Sequence, residues 1–214
     1  MRLAPEGRPF VLAGALVLGA LLVVAARWGG GWFALPALWL PVALWIPAFF
    51  RDPVREGPRG EHLVIAPADG RVVSVVEVHE PDVIGGPALR VAVFMNVFNV
   101  HVNRHPVDGT VIRREYRPGR FVNASLDKAS ADNERMSLGV RSSRGPVLVR
   151  QIAGLIARRI VTDPAEGARV RQGTRLGLIR FGSRVDTYLP AGARARVGVG
   201  DRTRAGVTVI AEWP

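Results

Sequence analysis

Val64-Ile65-Ala66-Pro67-Ala68-Asp69-Gly70-Arg71-Val72-Val73-Ser74-Val75-Val76-Glu77-Val78 decides the fold of most of this chain. Two β-branched runs flank a Pro-Ala-Asp-Gly cluster, which reads as strand, turn, strand. The same style continues downstream. Residues 89–102, 147–149 and Ile160-Val161 are apolar and β-rich, and Gly85-Gly86-Pro87, Asp108-Gly109 and Arg144-Gly145-Pro146 interrupt them. From Glu61 onward the pattern predicts a mainly β, sandwich-like domain of short strands. Residues 151–159 fit a short helix or another strand, and periodicity does not separate the two.

The C-terminal part holds a weak internal repeat. Ala168-Arg169-Val170-Arg171-Gln172-Gly173 precedes Leu176-Gly177-Leu178-Ile179, and Ala195-Arg196-Val197-Gly198-Val199-Gly200 precedes Ala205-Gly206-Val207-Thr208-Val209-Ile210. Each half reads as strand, glycine turn, strand, so a duplicated C-terminal hairpin is expected. Lipoyl and biotinyl carriers use such hairpins but need a lysine at a tip. Lys128, the only lysine, lies outside both halves.

Upstream the character is different. Residues 9–26 and 32–50 are two uncharged apolar runs separated by Arg27 and Gly29-Gly30-Gly31. Each approaches the roughly 20 residues that cross a bilayer core. Trp28, Trp32, Trp39 and Trp45 suit a membrane interface, and Arg2, Arg8, Arg51, Arg55 and Arg59 flank the pair on both sides. A helical membrane hairpin with both ends in the cytoplasm is expected. Pro36, Pro41 and Pro47 are expected to kink the second helix or turn it into a dip. A cleaved signal peptide fits poorly, because a second apolar run follows at once. The expected division is an anchor over residues 1–58 and a β domain over residues 59–214.

The 214 residues contain no cysteine, which excludes disulfides, thiolate nucleophiles and thiolate metal sites. The net charge of +11 rests almost wholly on arginine and favours anionic partners. Too few aromatics lie in the β part for a base-stacking surface, so nucleic acid is not an expected partner.

Between the two half-repeats lies Arg180-Phe181-Gly182-Ser183-Arg184-Val185-Asp186. A Gly-Ser pair is usually only a turn. It also places a hydroxyl beside a carbonyl that no Cβ shields, which allows attack and a shift from amide to ester once a base takes the proton. Elimination then leaves dehydroalanine, and hydrolysis leaves a pyruvoyl group. The histidines are His62, His79, His101 and His105. Val100, Val102 and Pro106 argue for an extended chain around the last two. They would then lie about 13 Å apart, too far to share a metal. Asp69 is a candidate acid to orient a histidine.

Six segments together resemble the phosphatidylserine decarboxylases, in the short form of bacteria and archaea. They are Phe49-Phe50-Arg51-Asp52-Pro53, Ala66-Pro67-Ala68-Asp69-Gly70, Phe98-Asn99-Val100-His101-Val102-Asn103-Arg104, Asn133-Glu134-Arg135, the run 151–159, and the run 177–186. The resemblance implies a proenzyme cut between Gly182 and Ser183. The products are a large β subunit, 1–182, and a small α subunit, 183–214, and Ser183 becomes a covalent pyruvoyl group that replaces pyridoxal phosphate; no metal is implied. It assigns Asp69 and Ser183 to the family's Asp-His-Ser set. Aligned on Pro106, His101 matches the first histidine of the larger members' pair and Arg104 the second. His101 is the expected catalytic histidine and His105 the alternative cleavage base.

The implied reaction joins the pyruvoyl carbonyl to the serine amine of phosphatidylserine as a Schiff base, releases carbon dioxide and yields phosphatidylethanolamine. Arg104, Arg158, Arg159 and Arg184 are the expected contacts of the lipid phosphate. The implied location is the cell membrane, with the β domain facing the cytoplasm. Two rivals are a membrane serine peptidase using Ser183 and a tethered β module that binds anionic lipid without catalysis.

Overall fold

The computed structural model describes residues 2–121, 132–154, 159–180 and 182–214. It divides into two compact units, Met1–Val54 and Arg55–Pro214.

The first unit is a helical hairpin. Its ends are tied by β1 (Arg2–Leu3) and β2 (Arg51–Asp52), which pair antiparallel. Helix α1 (Arg8–Trp28) ends where Gly29 takes φ +66°, and α2 (Ala34–Phe49) returns alongside it. The Trp39 indole donates to the Gly14 carbonyl at 3.0 Å and joins the two helices. Helix α2 runs on through Pro41 and Pro47, where a break or dip was expected. Each proline forfeits one backbone bond, and the helix continues around it. Leu12, Leu16, Val23, Leu38 and Leu44 all point outward. Taken with the short helical turn before each, the spans Pro5–Trp28 and Gly30–Phe49 are long and apolar enough to cross a membrane.

The second unit is built from strands. In chain order they are β3 (Leu63–Ile65), β4 (Gly70–Glu80), β5 (Gly86–Met95), β6 (Val102–Arg104), β7 (Gly109–Arg117), β8 (Arg135–Ser142) and β9 (Gly145–Ala153). Then follow β10 (Ile160–Thr162), β11 (Arg169–Val170), β12 (Arg175–Ile179), β13 (Ser183–Pro190), β14 (Arg194–Ala195), β15 (Arg202–Thr203) and β16 (Val209–Glu212). An eight-stranded sheet runs β11-β7-β8-β9-β13-β5-β4-β15, and two three-stranded sheets run β10-β12-β6 and β14-β16-β3. Every pairing of these named strands is antiparallel.

One face of the large sheet carries the core. Val72, Val91, Val93, Leu138, Val149, Val185 and Leu189 meet Val64, Leu176, Ile179, Ile210 and Trp213 from the smaller sheets. The mainly β expectation and the N-terminal helical hairpin both hold. The duplicated C-terminal hairpin does not form as such. Strand β11 pairs with β7 and β12 with β10 and β6, so the first half-repeat is divided between two sheets. In the second half β14 pairs with β16, while β15 joins β4. Burial against the large sheet outweighs local closure. Of the ambiguous run, residues 151–153 end strand β9.

Candidate active site

Strand β13 is central, bonded to β5 on one side and β9 on the other, and Ser183 through Leu189 are all buried. Such a strand is covered on both faces, which matches its mixture of apolar and internally paired polar residues. Ser183 is its first residue and lies opposite Met95 of β5 and Ala153 of β9. The Ser183 side chain is fully buried, and its hydroxyl finds no hydrogen-bond partner among the described residues. An orphaned buried hydroxyl is uncommon and calls for a functional reading.

Gly182, just before it, holds φ +61°. That is left-handed backbone, which a residue with a Cβ enters at a cost of about 1 kcal/mol. A Cβ built there meets no atom of the described residues within 4 Å.

Three other segments reach the same end of the sheet, because β4 begins, β5 ends and β13 begins there. Asp69 immediately precedes β4. Gly70 lies so close to the Phe94 carbonyl of β5 that any Cβ would overlap it, which fixes glycine after this aspartate. The Asp69 carboxylate receives Arg55 Nη2 at 2.6 Å and the Ala205 N–H at 2.7 Å. Beyond β5 the chain turns through Asn96 and Asn99, whose side-chain oxygens accept the N–H groups of Phe98 and Asn96. Asp69, Asn96 and Asn99 line one cavity of about 590 Å³, together with Arg71, Arg202 and Arg204.

His101 follows this turn and is fully buried. Its Nδ1 lies 3.0 Å from the Asn99 carbonyl. A carbonyl only accepts, so Nδ1 carries the proton and Nε2 presents a lone pair while the ring is neutral. The His101 carbonyl accepts the Ile179 N–H at 3.4 Å, four residues before Ser183. His105 sits at the far end of β6, where its backbone pairs with Gly173 and Thr174. The register of β6 on β12 thus sets His101, not His105, toward the Gly182–Ser183 end. His105 is also buried, and burial lowers its pKa from 6.5 to about 4.

The family model described as phosphatidylserine decarboxylase matches residues 42–211. The chain belongs to the phosphatidylserine decarboxylase family. It is 51% identical over 213 residues to a phosphatidylserine decarboxylase proenzyme of Aromatoleum aromaticum, covering 99% of this chain and 96% of that one. Proenzymes of the same name from Cupriavidus pinatubonensis (50% over 212 residues, 98% and 94% covered) and Symbiobacterium thermophilum (51% over 213, 99% and 96% covered) are comparably similar. Asp69, His101, Gly182 and Ser183 all lie within the matched family span.

Of the four arginines expected at the lipid phosphate, three are described and they have different surroundings. Arg104 donates to the Gly173 carbonyl at 3.1 Å. Arg159 is exposed. Arg158 lies outside the described residues. Arg184 is fully buried, and its fork holds Asp186 at 2.5 and 3.1 Å, on the sheet face opposite Ser183. A fork so engaged is an internal support and not an open anion contact.

Several site residues escaped the sequence reading. Arg55 and the Ala205 N–H, which hold Asp69, sit 14 and 136 residues away, and no local pattern links them. Asn99 had a signal, the paired asparagines of an Asx turn. On Ser183's face a buried polar chain runs from Thr162 to Gln151 to Asn103 at 2.6 and 2.8 Å. Asn103 also reaches the sulfur of Met95, the residue facing Ser183.

Proposed function

We propose that this chain is a membrane-anchored proenzyme that cuts itself between Gly182 and Ser183 and then decarboxylates phosphatidylserine to phosphatidylethanolamine. The observation that carries the proposal is the buried Ser183 hydroxyl at the head of β13, without a hydrogen-bond partner among the described residues and directly after a left-handed glycine. Family membership sets the reaction class.

In the self-cleavage, His101 Nε2 takes the Ser183 proton and the hydroxyl oxygen attacks the Gly182 carbonyl carbon. The C–N bond breaks, the nitrogen gains a proton, and an ester joins the two parts. Loss of the Ser183 α-proton expels the Gly182 carboxylate and leaves dehydroalanine. Water then replaces the nitrogen, ammonia departs, and a pyruvoyl group heads the small subunit. Asp69 bounds the cavity against which the His101 turn folds, and acts as a positioning residue.

Once formed, the pyruvoyl ketone supplies the electron sink for loss of carbon dioxide, without metal or pyridoxal phosphate. The remaining work belongs to the chain's own side chains. The buried setting of Ser183 strips water from the substrate carboxylate, which favours its departure as a neutral gas. His101 returns a proton to the carbon left behind. Arg71, Arg202 and Arg204 face the cavity and meet the lipid phosphate, with Arg104, Arg158 and Arg159 as further candidates. The helices α1 and α2 enter the cell membrane, and the β unit works on its cytoplasmic side, where the acyl chains stay in the bilayer.

Intact mass of the purified protein tests the cleavage, and carbon dioxide release from phosphatidylserine tests the reaction. Two chains, the smaller beginning with pyruvoyl, are expected. An active protein that is one uncut chain with an ordinary serine at 183 defeats the proposal. Cleavage of added peptides by an unmodified Ser183 would favour a peptidase instead.

A further inference from the structure

Three buried side chains form a chain of hydrogen bonds from the small sheet to the large one, on Ser183's face. Thr162 of β10, Gln151 of β9 and Asn103 of β6 are 9%, 1% and 0% exposed. The Thr162 hydroxyl donates to Gln151 Oε1 at 2.6 Å, and Gln151 Nε2 donates to Asn103 Oδ1 at 2.8 Å. With its oxygen taken by the hydroxyl, Gln151 turns its nitrogen to Asn103, and the Asn103 oxygen receives it. The Asn103 NH2 group is thereby turned the other way, where it meets the Met95 sulfur at 3.5 Å.

That ending is unusual. A thioether is a weak acceptor, and a carboxamide nitrogen has two N–H groups to place. A dry polar chain of purely structural use would end on a carbonyl or a carboxylate. This one ends on the residue directly opposite Ser183 in the ladder of β5 and β13. Direct partners stand about 5 Å apart at Cβ and point to the same side of the sheet. Ala153, opposite Ser183 on β9, shares that side, and so does Gln151 two residues earlier. Asn103 also follows His101 by two residues, the spacing that sets two side chains on one side of an extended chain. A strong donor with only sulfur to receive it therefore lies one side chain away from Ser183.

We propose that the Asn103 carboxamide donates to the carboxylate of the substrate's serine headgroup, and so selects a headgroup that carries one. The inference rests on the function proposed above. A substrate whose amine reaches position 183 bears its carboxylate on the adjoining carbon. Met95, unbranched and flexible, is the side chain that gives way to it. A neutral amide suits this task better than an arginine. It orients the carboxylate without a full opposite charge, which would hold the group in its ionised form and oppose its loss as carbon dioxide. An amide free to turn could present its oxygen and repel the carboxylate. Gln151 and Thr162 prevent that turn, and they act as positioning residues.

The test uses the full chain in phosphatidylcholine nanodiscs, as wild type, Asn103→Leu and Asn103→Asp. The first change removes the donor. The second keeps the shape and the Gln151 bond but puts an acceptor in the donor's place. Intact mass first establishes that each protein is cut. Short-chain phosphatidylserine and phosphatidylethanolamine, which differ only by the carboxylate, are then compared. The KM for the former is read from carbon dioxide release, and the affinity for the latter from calorimetry. In both variants the KM is expected to rise about tenfold or more, the scale of one lost charge-assisted bond, while the phosphatidylethanolamine affinity stays within about twofold. A merely structural role weakens both lipids together, and that result overturns the proposal, as does an unchanged KM. If Asn103→Leu is not cut, Asn103→Asp decides by itself. If neither is cut, Asn103 serves the cleavage and the proposal falls. A wild-type chain that stays uncut defeats the function proposed above, whereas a cut, active wild type with evenly weakened variants defeats this inference alone.

Discussion

Asp69 and Arg55 form an ion pair of 2.6 Å in which both side chains are largely withdrawn from water, 13% and 6% exposed. The second oxygen of Asp69 takes the Ala205 N–H. The carboxylate is therefore fixed from two sides, and Arg55 acts through it. Removing one partner of a buried pair costs about 3 kcal/mol. Asp69→Ala is expected to lower the melting temperature and block processing. Arg55→Met, at a similar cost in stability, is expected to slow processing without stopping it. The fraction of cut chain over time, read on a denaturing gel, separates the two.

His101 and His105 are expected to differ in kind. His101→Gln removes the proposed base beside Ile179 and should leave the chain uncut. His105→Gln should still be processed, because its ring lies at the other end of β6. Intact mass of each variant decides, and a cut His101→Gln protein alongside an uncut His105→Gln protein would reverse the assignment.

His105 also sets a pH dependence. Burial lowers its pKa from 6.5 to about 4, so between those values the unfolded chain binds a proton that the folded chain refuses. Its stability is intact above pH 6.5 and declines as the pH falls toward 4, by about 3 kcal/mol in all. Urea midpoints of the wild-type protein should fall over that window, and His105→Gln should flatten this component.

Arg184 offers a direct choice between support and substrate contact. Its fork is 2.5 Å from Asp186, and both side chains are fully buried. Arg184→Met is expected to cost about 3 kcal/mol, and the double change Arg184→Met, Asp186→Leu to recover much of it. A single variant that melts normally but shows a raised KM for phosphatidylserine would make Arg184 a phosphate contact.

Phe98 stands at the tip of the Asn96–Asn99 turn and is 71% exposed. An exposed ring on the turn whose Asn96 and Asn99 line the cavity suits contact with acyl chains at a bilayer surface. Phe98→Ser is expected to raise KM several-fold with phosphatidylserine vesicles and to leave a soluble short-chain substrate unaffected. Equal effects on both substrates would rule out a membrane contact.

The strands were legible because their signals are local: β-branched runs such as Val72 to Val78, ended by Gly, Pro and Asp. The helical hairpin was legible from apolar length alone. Strand neighbours were not. Ser183 lies between Met95 and Ala153, which are 88 and 30 residues away, and nothing in residues 180–186 points to either. The two half-repeats look alike locally, yet burial against the large sheet sends their strands to different partners. Arg184 and Asp186 stand two apart on a strand, which places them on one face and was readable as a pair. Asp69 was readable as a candidate, but Arg55 as its holder was not.

The placement of β13 has a consequence for the proposed cleavage. Residues 183–214 supply a middle rung of the large sheet, and also β15 at its edge and two strands of a small one. A break ahead of Ser183 therefore frees no fragment. The short piece remains laced between β5 and β9, and drawing it out means dismantling the whole domain. Without any disulfide, two polypeptides made by such a cut should migrate as one particle through gel filtration. Once pulled apart in denaturant, they should fail to regain the structure that the uncut precursor reached as a single chain.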